Sequence, residues 1–126
     1  MVKKLLLIMM LSFFILELKA QDKRINYTYN MCDVYNIDTT SNTAEYARTI
    51  DVGGSITFSN VDDYPMIIID YKVYNIVDAI RIKTGILFKT TTVDDDYPIM
   101  IECNNYSLRV TKDNSIFVYK PLKNNN

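Results

Sequence analysis

The chain has 126 residues, with 14 Lys and Arg against 15 Asp and Glu, two cysteines, ten tyrosines and no histidine or tryptophan. A near-neutral balance with scattered basic residues argues against a nucleic-acid binder, which needs a clustered positive face to release counterions from phosphate. The lack of histidine removes the commonest general base and metal ligand, and no Gly-x-Ser-x-Gly elbow or glycine-rich phosphate loop occurs, so the sequence predicts a non-enzyme that uses no cofactor.

Met1 to Lys4 is a short cationic start, Leu5 to Leu16 is apolar apart from Ser12, and Ala20 supplies a small residue after Glu17 and Lys19. That order is the layout of a cleavable secretory signal over residues 1–20. The apolar run falls well short of the roughly 20 residues that cross a bilayer. The first cysteine is Cys32 rather than a residue at the cut, which argues against a lipid anchor. Export to the periplasm or beyond the cell is therefore expected, with no membrane span after cleavage. Removing residues 1–20 takes away Lys3, Lys4, Lys19 and Glu17, leaving a mildly acidic chain of 11 basic and 14 acidic side chains.

The rest reads as one all-β domain over 21–120, because Tyr, Ile, Val and Thr abound and suit pleated, half-buried surfaces. Ile25 to Tyr35 alternates with Ile25, Tyr27, Tyr29 and Met31 on one face, and the phase then slips so that Cys32 and Val34 fall on the other, as a bulge would produce. Asn36 to Thr43 reads as a loop rich in residues that bond their own backbone. Glu45–Val52 and Ser55–Val61 read as a hairpin turned by Gly53-Gly54. Met66 to Tyr74 reads as a central strand, and Asn75 to Asp78 as an ambiguous stretch that could hold a helical turn. Ile80–Lys83 and Ile86–Val93 follow across Thr84-Gly85. Ile99–Cys103, Tyr106–Thr111 and Ser115–Lys120 close a meander, and 121–126 reads as a polar tail. About eight to nine strands with no crossover helix predict an antiparallel sheet, rolled into a closed or nearly closed barrel, with a sandwich as the alternative.

Cys32 and Cys103 form an even pair in an exported domain, which predicts a disulfide between them. Their separation is the opposite of a redox Cys-x-x-Cys pair. Val61-Asp62-Asp63-Tyr64-Pro65 is echoed by Val93-Asp94-Asp95-Asp96-Tyr97-Pro98, each before an apolar strand. The echo reads either as a duplication or as two acid-rich turns that aid solubility. Asp94, Asp95 and Asp96 offer hard oxygens to a cation but lack the Asp-x-Asp-x-Asp-Gly spacing of a calcium loop, so a solvated turn is expected. Among the tyrosines, Tyr74 and Tyr119 stand opposite their strands' apolar faces and are the candidates for an exposed ligand surface.

In outline, two distant cysteines behind a signal peptide resemble the periplasmic lysozyme inhibitors, which are small β-barrels with one disulfide. That resemblance implies inhibition of a secreted hydrolase; the Ser-Gly-x-x-Tyr loop of that family does not occur in this sequence. The expected function is a non-enzymatic binding module outside the cytoplasm, taking an extracytoplasmic protein, peptide or carbohydrate. The alternative is an inhibitor of a secreted hydrolase such as lysozyme.

Overall fold

Residues 23–125, which the computed structural model describes, form eleven β-strands and no helix. The signal segment read over 1–20 lies outside the described residues. In chain order the strands are β1 Lys23–Tyr29, β2 Met31–Asp38, β3 Thr43–Ile50, β4 Gly54–Val61, β5 Tyr64–Ile69, β6 Lys72–Ile82, β7 Gly85–Thr91, β8 Ile99–Cys103, β9 Leu108–Lys112, β10 Ser115–Lys120 and β11 Lys123–Asn124. All belong to one antiparallel sheet in the order β11-β1-β4-β5-β6-β7-β8-β9-β10-β2-β3. The order has two ends, β11 and β3, and no ladder among the described residues joins them, so the sheet is not closed by pairing.

The expected phase slip is there, at Asn30. Ile25, Tyr27 and Tyr29 of β1 are buried, and on β2 the buried side chains include Cys32 and Val34. The slip divides what reads as one strand into two with different neighbours: β1 lies against β4, β2 against β10 and β3. The last strand is divided in parallel. Met31 stands opposite Lys120, and Thr28 opposite Lys123, so the ladder of β2 with β10 resumes in the same register between β1 and β11. Between the two ladders the Asn30 N–H donates to the Lys120 carbonyl at 3.2 Å. The segment expected as a tail thus includes a short strand, and Leu122 packs on the core.

Three other readings are corrected. Gly53-Gly54 makes no hairpin, because β3 pairs with β2 and β4 with β1, and neither glycine has positive φ. Space is what Gly54 provides: a Cβ there would sit against the Tyr29 phenol oxygen and Asp70 Oδ1. The run Met66–Tyr74 is two strands rather than one. Ile69 pairs with Lys72 around a two-residue turn at Asp70 and Tyr71, both at positive φ, the backbone of a tight hairpin without its usual glycine. Asn75–Asp78 is strand, with a register shift between Ile76 and Asp78 instead of a helical turn.

The core follows from the period-two alternation. Ile25, Phe58, Ile67 and Tyr74 stand side by side across β1, β4, β5 and β6, all buried. Tyr27 packs edge-on against Phe58 with centroids 5.7 Å apart, and Phe58 lies 5.8 Å from Phe88. Each such ring removes on the order of 150–250 Å² from water, so this trio is a large share of the apolar burial.

Candidate functional site

The loop between β7 and β8 is held by one side chain. Asp95 Oδ2 accepts from the Thr92 hydroxyl at 2.5 Å, and the Asp95 N–H donates to Thr92 Oγ1 at 3.1 Å. Lys72 Nζ lies 3.3 Å from Oδ2 and Lys112 Nζ 2.9 Å from Oδ1. The Thr92 hydrogen bond, then Lys112 and Lys72, hold the carboxyl down at about 2, and Asp95 in turn pushes the Lys112 ammonium up. Residues at the ends of β6, β7 and β9 therefore converge on a single carboxylate. Around this anchor the loop exposes Val93 (95%) and Tyr97 (80%), and the neighbouring β5–β6 turn exposes Tyr71 (96%). A surface cavity of 280 Å³ lies between the loop and the β9–β10 turn, lined by Asp94, Asp96, Tyr97, Lys112 and Asp113 among others.

The echoed acidic segments do not meet or match. Asp62 and Asp63 form the two-residue turn between β4 and β5, at the end of β5 away from Asp70, whereas Asp95 sits by Lys72 at the Asp70 end. Tyr64 and Pro65 lie inside β5, while Tyr97 and Pro98 stand outside any strand. This favours two unrelated turns over a duplication. Among the described residues no group of three or more His, Cys, Asp or Glu side chains is placed to hold a metal ion.

A second cavity, of 390 Å³, opens between the end of β1, β10 and the β2–β3 hairpin. Its walls include the rings of Tyr29, Phe117 and Tyr119 and the side chains of Ile50 and Val52, with Asp70 at its rim. Tyr29 and Tyr119 meet edge-on with centroids 4.9 Å apart. The Tyr29 phenol donates to Asp70 Oδ2, while Asp70 Oδ1 accepts from the Ser55 N–H at 2.9 Å. Burial first, then the hydrogen bond to Asp70, pushes the Tyr29 phenol well above its ordinary range.

The expected disulfide is absent: both cysteines are free and buried. Cys103 stands opposite Leu108, Leu108 opposite Tyr119, and Tyr119 opposite Cys32. The thiols are thus in one inner row but three strands apart, about 14 Å along a sheet with ~4.8 Å spacing. A bridge needs Cα atoms about 4.4–6.8 Å apart. Burial pushes the Cys32 thiol up to about 11 and the Cys103 thiol up to about 12.

Tyr74 and Tyr119 are not on an exposed face. The two-residue turn at Asp70-Tyr71 resets the alternation, so Tyr74 pairs with Ile67 and is 6% exposed. Tyr119 is half-buried against the core beside Cys32. Burial raises both phenols. Sequence reasoning missed Lys72, Lys112 and Asp70 as site residues. All three sit at strand ends or turns, and the echo in the sequence drew attention to Asp95 without its partners.

No helix among the described residues is long and apolar enough to cross a membrane. Comparison with protein-family models, with curated proteins and with solved structures finds no match in any of the three.

Proposed function

We propose that the chain is an exported, non-enzymatic interaction domain that docks on an extracytoplasmic protein through the loop 92–98. The observation that carries this is the pairing of exposure with restraint. Val93 and Tyr97 face solvent on a loop whose middle residue is tied to Thr92, Lys72 and Lys112. Apolar and aromatic side chains held in place before binding lose less entropy on association, and aromatic anchors carry much of the energy at interfaces. Asp94 and Asp96 lie between them in sequence and line, with Asp113, the same cavity as Tyr97, so the complementary partner carries a cleft with a basic rim. The non-enzymatic part rests on the lack of histidine and of a nucleophile motif in the sequence, and on the burial of both thiols, which disfavours the reactive thiolate.

The fold is read in the same spirit as a small barrel rather than a sandwich. What supports that is the common register of the β1–β11 and β2–β10 ladders and the contact of Tyr29 with Tyr119 between the two ends of the sheet.

A second, narrower reading is inhibition of a secreted hydrolase, favoured by the same restrained, acidic, aromatic loop, whose apolar tip suits a cleft and whose carboxylates suit basic residues on the rim around it. Mixing the exported protein with a c-type lysozyme tests it. Inhibition that the Val93→Ala/Tyr97→Ala variant loses supports the inhibitor, and equal lysis with and without the protein excludes lysozyme as its target. The broader proposal is tested by size-exclusion chromatography of native extracytoplasmic extract. The wild type is expected in a larger complex from which the double variant is lost; identical elution of both contradicts it.

A further inference from the structure

We infer that the 390 Å³ cavity between β1, β10 and the β2–β3 hairpin is a binding site for a small organic cation, separate from the docking loop. Its size falls within the ~300–1,000 Å³ usual for small-molecule sites. Three aromatic rings, those of Tyr29, Phe117 and Tyr119, share it with one acidic group, Asp70, and among the described residues no lysine or arginine lines it. Arg48 adds a field at Cys32 without being part of the wall.

The chemistry of this set is selective. Aromatic faces carry negative electrostatic potential and attract ammonium groups, most strongly those that shed water easily. The Asp70 carboxylate already accepts from Tyr29 and from the Ser55 N–H, which fixes its orientation. An ionised carboxylate has about four acceptor positions, so two bonds leave room for a cation. The Tyr29 proton is taken up by Asp70, so the phenol has no free O–H to present to a ligand. Ile50 and Val52 supply apolar wall suited to methyl or aryl substituents. An anionic ligand would meet Asp70 with nothing in the lining to offset the repulsion, and a neutral apolar one would gain nothing from it. The class favoured is therefore a quaternary or substituted ammonium with an apolar body.

The test is an NMR titration of the exported protein with benzyltrimethylammonium and choline, beside 3,3-dimethylbutan-1-ol as the uncharged isostere of choline. Saturable shifts are expected at Tyr29, Phe117 and Tyr119, with the isostere about tenfold weaker than choline. Asp70→Asn keeps a residue type that tolerates the left-handed backbone found there (φ 46°), removes the charge, and is expected to weaken both cations about tenfold. Should Asp70→Asn fail to fold, Tyr119→Leu gives a second reading, with cation binding reduced and isostere binding little changed. Equal binding of choline and its isostere, shifts confined to surface tyrosines such as Tyr46 and Tyr97, or no saturable shift would each overturn the inference.

Discussion

Tyr29 and Asp70, 41 residues apart in sequence, share a hydrogen bond that ties the end of β1 to the tight turn between β5 and β6. The bond exists because Gly54 stands opposite Tyr29 in the β1–β4 ladder and has no side chain. Both residues of that contact also line the 390 Å³ cavity.

Gly54→Ala is expected to break the contact, since the added Cβ would meet both bonded residues. Overpacking of this kind costs about 1–3 kcal/mol. Urea unfolding should show a lower midpoint with an unchanged slope, and a midpoint equal to the wild type would contradict the assignment.

The core makes a plainer expectation. Phe88 is fully buried and packs on Phe58, so Phe88→Ala should destabilise by about 3–5 kcal/mol, more than alanine at an exposed position of β3 such as Glu45. Chemical denaturation of Phe88→Ala beside Glu45→Ala on β3 measures the contrast, and equal losses in the two variants would contradict the packing described.

Much of the architecture was legible in the sequence. Strand class, antiparallel pairing and the phase slip near Cys32 all follow from alternation and from the absence of long helical runs. What misled was turn chemistry. Asp70-Tyr71 carries no glycine, so the run from Met66 to Tyr74 reads unbroken and Tyr74 lands on the wrong face. Gly53-Gly54 has the composition of a hairpin, yet Gly54 serves a close approach by Tyr29. The disulfide failed for a related reason. Pairing cysteines by compartment says nothing of their places in the sheet, and register puts them three strands apart.

The thiols give a direct check on that register. Neither Cys32 nor Cys103 should react with a disulfide reagent near pH 8 in the folded protein, since burial pushes them up to about 11 and about 12. Both should react in denaturant, and the intact mass should not change with reductant. A mass gain on reduction would contradict the fold described.

Acid should loosen the 92–98 loop. The Asp95 carboxyl is depressed from 3.8 to about 2, so its contribution is complete above the unfolded value and is lost as pH falls from about 4 towards 2. Protection of the 92–97 amides, taken relative to the free-chain exchange rate at each pH, should fall over that window while core amides stay protected, so that the loop shows quickened exchange on that scale. Asp95→Asn should show the quickened exchange already at neutral pH, and unchanged exchange would contradict the anchoring role.

The loop 92–98 is proposed as the place where a partner docks. A photo-cross-linking residue placed at Tyr97 in the full chain, with a control at the exposed Ile80 on β6, tests it in the native host. One discrete adduct from position 97, absent at position 80 and lost on Val93→Ala, is the predicted result. No adduct from position 97, or the same adducts from both positions, would contradict it.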